Sequence, residues 1–157
     1  MIQTCYIRLM SIISKKRLVI NMKYILIPFF AWIVSGILKF TINSLRFGKK
    51  ARGLIGYGGF PSTHTTILSS VVFLCGFIEG FDTPIFSLGL GVLLILIIDA
   101  HGLRNKIGSH ARAINILQQK DVDNKNTPLR ERMGHSWIEI IGGLLLGSVL
   151  AFFISLI

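Results

Sequence analysis

The sequence predicts an all-α, multi-pass transmembrane helical bundle, with about four spanning helices and one amphipathic helix at the membrane surface. Three observations predict it. Hydrophobic residues make up 52% of the 157-residue chain against 15% charged, and the mean hydropathy of +0.66 exceeds what a soluble domain of this length usually carries. The apolar residues gather into four runs that approach the roughly 20 residues needed to cross a bilayer. No internal repeat and no Pro/Ser-rich linker divides the chain, so it reads as one bundle.

The first 21 residues carry Lys15, Lys16 and Arg17 inside an apolar stretch too short and too charged to span, and no small-residue cleavage site follows. Residues 1–22 therefore read as an N-terminal extension or interfacial segment, with Met22 a candidate native start, and residues 23–157 as the helical domain. The spanning runs extend from about Tyr24 to Leu45, Thr65 to Phe81, Pro84 to Ala100 and Trp137 to Ile157. The second is short and carries Ser69 and Ser70. Asp82 and Pro84 suit the start of the third. From Arg104 to Gln119, Ile107, Ala111, Ile114 and Leu117 fall near helical spacing, the pattern of an amphipathic helix on the membrane surface. Lys120 to Arg132 has the polar composition of a loop.

Four spans set the Arg46–Thr63 loop and the Gly102–Gly134 segment on the same side of the membrane, whatever the orientation. Twelve of the 17 Lys and Arg residues lie on that side and five on the other. The positive-inside rule places the richer face in the cytoplasm. The net charge of +10 favours anionic partners, and its placement between apolar runs points to lipid headgroups or phosphate rather than nucleic acid. Cys5 and Cys75 show no metal-type spacing and read as inert thiols. Gly76-x3-Gly80 and Gly143-x3-Gly147 permit close helix packing, within one chain or in a homo-oligomer.

Three stretches carry chemistry. Ser35, Lys39, Asn43 and Arg46 recur at intervals of four, four and three, so they share one face of the first span, with Lys39 and Arg46 about 10 Å apart along it. Arg46, at a helix end, can snorkel to headgroups, whereas the deeper Lys39 is costly unless it serves a site. Gly56-Tyr57-Gly58-Gly59-Phe60-Pro61-Ser62-Thr63-His64 is a glycine-rich loop entering the second span. Its helix start offers free N–H groups to an anion, Ser62 and Thr63 add hydroxyls, and His64 stands where it can exchange a proton. An ordinary Ser or Thr cap beside a solvated histidine explains the same pattern. In Arg130-Glu131-Arg132-Met133-Gly134-His135-Ser136-Trp137-Ile138-Glu139, His135 and Glu139 are four apart and can hydrogen-bond on one helical face. The carboxylate then fixes the tautomer and frees the other imidazole nitrogen to attack an electrophile. His64, His101, His110, His135, Asp99 and Glu139 lack the His-x3-His or HExxH spacing of a metal helix, so no metal and no cofactor is expected. His101 and His110 read as interfacial histidines, and Asp99 as a partner for Arg104 or Lys39.

In this order, Lys39-x6-Arg46, Pro61-Ser62-Thr63-His64 and Arg130-x4-His135-x3-Glu139 resemble the three signatures of the type 2 phosphatidic acid phosphatase and vanadium-dependent haloperoxidase superfamily. The likeness is to its divergent, small membrane branch, through Gly58-Gly59, Glu79-Gly80-Phe81-Asp82, Asp99-Ala100-His101-Gly102-Leu103-Arg104 and Gly134-His135. It covers about Lys23 to Ile157. The resemblance implies a metal-independent phosphomonoester or diphosphate hydrolase with His135 as nucleophile, Glu139 orienting it and His64 as general acid. Lys39, Arg46, Arg130, Ser62 and the backbone amides near Thr63 would hold the phosphoryl oxygens. The chain departs from the broader pattern at several places. Phe47 follows Arg46 where proline is expected, Thr63 replaces a glycine and Glu139 an aspartate. Pro128 and Leu129 occupy the positions of a Ser-Arg pair, with Arg130 one residue late and Arg132 competing for its role. Because the basic site would open at headgroup level, the expected substrate is a lipid phosphate or isoprenoid diphosphate. The alternatives are a catalytically inactive relative that binds or translocates a lipid phosphate, and a small structural membrane subunit.

Overall fold

The structure, a computed structural model, describes residues 2–48, 59–119 and 127–157; it is all-helical, with no strand among the described residues. Helix α1 runs from Ile2 to Phe47 without a break, so the expected division at residue 22 is not a helix boundary. The reason is local: no glycine or proline precedes Pro28, and lysine and arginine are good helix formers. The apolar part able to cross a membrane is Asn21–Arg46. Pro28 lies inside it and withholds one N–H from the ladder, a gap that membrane helices tolerate.

Helix α2, Thr63–Glu79, starts at the Ser62 cap and ends at Gly80, whose φ of 113° suits glycine. Helix α3, Pro84–Ile98, is capped by Thr83, whose hydroxyl accepts from the Phe86 N–H at 3.4 Å. Asp82 had been the expected cap. Pro84 at the first helical position holds the residue before it extended, so the cap falls on Thr83 itself. A π-helical turn, Asp99–Leu103, joins α3 to α4, Arg104–Gln119. The third span and the amphipathic segment therefore form one continuous helix of 36 residues, Pro84–Gln119. Helix α5 spans Trp137–Leu156. Among the described residues, three helical stretches are long and apolar enough to cross a membrane, and α2 is a shorter apolar fourth.

Helix α2 is the central element. It buries Thr65, Thr66, Ser69, Ser70, Val72 and Leu74, whereas Phe29, Trp32 and Ile37 of α1, Leu88 and Ile95 of α3, and Leu145 and Phe153 of α5 face outward. Small polar side chains inside and large apolar ones outside suit a bundle whose solvent is lipid. The α2–α5 seam depends on glycine: a Cβ at Gly143 would lie 2.7 Å from the Ser62 carbonyl, and one at Gly147 2.6 Å from the Thr66 carbonyl. The Ser69 hydroxyl donates to the Gly143 carbonyl at 3.3 Å, so this glycine pair is used within the chain. At one end of the bundle the Tyr24 hydroxyl donates to Glu79 Oε1 at 3.0 Å. At the other end the C-terminus of α1, the start of α2, the π turn and the start of α5 meet.

Candidate active site

Two capped helix starts build this end. Ser62 accepts the Thr65 N–H on its hydroxyl, and its own N–H donates to the Glu139 carbonyl at 2.8 Å, tying the start of α2 to the first turn of α5. Ser136 and Glu139 form a reciprocal capping box: the Glu139 N–H donates to Ser136 Oγ at 3.3 Å, and the Ser136 N–H to Glu139 Oε2 at 3.0 Å. The same Oε2 lies 3.0 Å from His135 Nδ1. An ionised carboxylate only accepts, so Nδ1 carries the proton and Nε2 keeps its lone pair. The His135 side chain is 7% exposed. Burial pushes its pKa below the ordinary 6.5; the Glu139 bond and charge pull upward, and Lys39 and Arg104 add to the lowering.

His64, exposed in the first turn of α2, faces His135 with ring centroids 6.3 Å apart at 60°. Lys39 is half-buried on α1, and its charge acts on Glu139 and on both imidazoles. Asn43, one turn further, lies beside Gly59, where an added Cβ would sit 3.8 Å from its side-chain oxygen. The three stretches singled out from the sequence thus meet in space.

The other residues picked from the sequence are placed as follows. Ser62 is fully buried, with its hydroxyl and N–H committed to the cap and to α5. Thr63 is half-buried at the first position of α2. Arg46 ends α1 exposed, and Arg130 is exposed with its Nε donating to the Arg132 carbonyl at 3.3 Å. Arg132 instead lines an open cleft of about 330 Å³ with His101, Asn105, His135, Ser136 and Glu139. Gly56, Tyr57 and Gly58 of the glycine-rich loop lie outside the described residues.

The structure adds partners that the sequence did not single out. The His135 N–H donates to the Ala100 carbonyl at 2.9 Å, and His101 Nδ1 donates to the His135 carbonyl at 3.2 Å. The His101 ring lies 4.5 Å from the Trp137 ring, so it supports the helix start rather than facing the interface alone. Gly134 has φ 87°, and a Cβ there would collide with Asn105. Buried Asn115 holds the returning chain, donating to the Leu129 carbonyl and Glu131 Oε1 and accepting the Leu129 N–H. Asp99 pairs with Arg104, at 2.7 Å, rather than with Lys39. The sequence signal for the pair was its five-residue spacing, which fits a π turn.

Fold and site together define a small integral membrane protein whose helix ends present a histidine–carboxylate pair faced by a second histidine. The chain belongs to the Divergent PAP2 family, whose model matches residues 20–150. It is 30% identical over 114 residues to "Uncharacterized membrane protein YuiD" of Bacillus subtilis (strain 168), a match covering 61% of this chain and 72% of that protein. No solved structure shows a significant match. The protein is thus phosphatase-related in kind.

Proposed function

We propose that the protein is an integral membrane phosphatase that hydrolyses a lipid phosphate or an isoprenoid diphosphate through a phosphohistidine on His135, without a metal. The observation that carries this reading is the 3.0 Å bond from His135 Nδ1 to Glu139, with the His64 ring 6.3 Å from the His135 ring. In the first step Nε2 of His135 attacks phosphorus, the bond to the leaving oxygen breaks, and protonated His64 gives that oxygen its proton. In the second, neutral His64 takes a proton from water, the resulting hydroxide attacks phosphorus, and the phosphorus–nitrogen bond breaks to return His135 and release phosphate. Glu139 stabilises the positive charge that develops on His135. Lys39 and the N–H groups at the start of α2, about Thr63, offset charge on the phosphoryl oxygens. Arg46, exposed at the end of α1, would attract the anionic substrate, and the basic bias of this side supports a cytoplasmic orientation.

The experiment is phosphate release from phosphatidic acid and from an isoprenoid diphosphate in mixed micelles containing EDTA, with a denaturing quench at alkaline pH of phosphorus-labelled substrate to trap the acid-labile phosphohistidine. Turnover and label on the parent, and loss of both in His135→Ala, are expected. Equal turnover in that variant would remove the nucleophile.

The second reading is a non-catalytic relative that binds or translocates a lipid phosphate, favoured by Pro128 and Leu129 where a Ser-Arg pair is expected. Lipid binding that survives His135→Ala, with no hydrolysis by the parent, would select it.

A further inference from the structure

The hydrolase reading leaves one part unfilled, because the guanidinium expected just before His135 in the chain is displaced. Arg104 occupies a suitable place from a different element. It follows the π turn Asp99–Leu103, and two hydrogen bonds stitch that turn to the nucleophile: His135 N–H to the Ala100 carbonyl at 2.9 Å and His101 Nδ1 to the His135 carbonyl at 3.2 Å. An α-helix brings residues three and four apart together, whereas a π turn bonds residues five apart. The Arg104 N–H accordingly bonds the Asp99 carbonyl, and both side chains come to one face. Arg104 Nε donates to Asp99 Oδ2 at 2.7 Å, a contact on one edge of the guanidinium that fixes its direction and uses one of five donors. Its side chain is 40% exposed, open to a ligand. The Arg104 charge acts on both His64 and His135, as the Lys39 charge does from α1.

We propose that Arg104, aimed by Asp99, is the phosphate-binding arginine of this site, gripping a phosphoryl oxygen between the two imidazoles in place of the missing third-signature arginine. Asp99 is then a positioning residue, and the π turn is the device that sets their spacing. The assignment rests on the hydrolase reading. It also names the ligand chemistry as a phosphoryl dianion that accepts two N–H bonds from one guanidinium.

The test uses the full chain in lipid–detergent micelles with phosphatidic acid as substrate and inorganic phosphate as competing ligand. Arg104→Gln is expected to lower kcat/KM by roughly 100-fold and to weaken inhibition by phosphate about tenfold, as loss of one preorganised donor does. Arg130→Gln is expected to retain more phosphate inhibition than Arg104→Gln, and exposed Lys106→Gln to behave as the parent. Asp99→Asn should weaken phosphate inhibition less than Arg104→Gln while leaving thermal unfolding near the parent's. Arg104→Lys covers the case in which the glutamine variant does not fold: it keeps the charge without the fork, and several-fold weaker phosphate inhibition is expected. Parent-like inhibition in the lysine variant, or a larger loss in Arg130→Gln, overturns the assignment while parental turnover leaves the hydrolase reading standing. A parent with neither turnover nor phosphate binding overturns that reading, and the assignment with it.

Discussion

Replacing Glu139 by glutamine removes a charge but keeps an acceptor, so it separates the two things this side chain does for His135. Oε2 accepts both the His135 Nδ1–H and the Ser136 N–H at 3.0 Å. A hydrogen bond to a charged partner contributes about 1.5–3 kcal/mol and a neutral one about 0.5–1.5 kcal/mol, so the glutamine variant loses roughly 1–1.5 kcal/mol of support for the imidazolium. That corresponds to about five- to tenfold in kcat/KM. Glu139→Ala removes the acceptor and strands an N–H on a side chain only 7% exposed, a loss of roughly 3 kcal/mol, on the order of a hundredfold. The pH profile distinguishes support of chemistry from support of the helix. His135 must be neutral to attack, and burial already holds its pKa below 6.5, so the limb of the pH profile that His135 sets lies on the acid side of that value. Glu139 opposes this lowering; without it the acid limb moves to still lower pH. The assay is phosphate release from phosphatidic acid between pH 4 and 9 with thermal unfolding of each variant measured in parallel. An unmoved acid limb with parental kcat/KM refutes the orienting role, even if the unfolding temperature falls.

Three other outcomes follow from the geometry. Gly143→Ala places a Cβ 2.7 Å from the Ser62 carbonyl and 2.9 Å from the Thr65 Cβ, and is expected to cost about 1–3 kcal/mol, read as a lower unfolding midpoint in lipid–detergent micelles; an unchanged midpoint refutes the tight seam. Gly134→Ala must hold φ 87° and push Asn105 aside, costing about 1–3 kcal/mol and shifting His135, so turnover should fall with the unfolding midpoint; full activity would refute it. Asn115→Ala releases the hydrogen bonds that hold Leu129 and Glu131, and should speed protease cleavage around residues 127–131 in proteoliposomes, with parental cleavage rates refuting the latch.

The helices were legible because apolar length is a local property, and the His135–Glu139 contact because four residues make one helical turn. The join between the third span and the amphipathic segment was not. Composition changes sharply at Ala100-His101, which reads as a membrane boundary, yet a helix is a backbone ladder that a change of side-chain polarity does not interrupt. The sequence left Asp99 between Arg104 and Lys39, since α-helical spacing points it toward residues three and four along, and the five-residue reach of the π turn decides for Arg104. Arg46 and Arg130 matched a motif by spacing alone, and spacing does not say whether a long side chain turns to the site or to headgroups. The third span starts at Pro84 as its apolar run indicates, but the cap falls on Thr83 rather than Asp82 because proline, rather than the nearby carboxylate, sets the boundary.

The precision of this site comes from the ends of helices rather than from a loop folded around a ligand. One oxygen of Glu139 completes the capping box of α5 and bonds His135, so whatever starts the helix also aims the proposed nucleophile. The facing histidine inherits its position similarly, two residues past the Ser62 cap whose N–H is bonded to Glu139 itself. Between these two caps the separation of α2 and α5 is limited by the absence of side chains at Gly143 and Gly147. The distance between the imidazoles is therefore a consequence of helix packing inside the bundle, and a change of one methyl group on that seam acts on chemistry a full turn away. The proposed role of Arg104 fits the same logic: with no Ser-Arg pair before His135, the cation would come from the helix whose π turn bonds the His135 backbone.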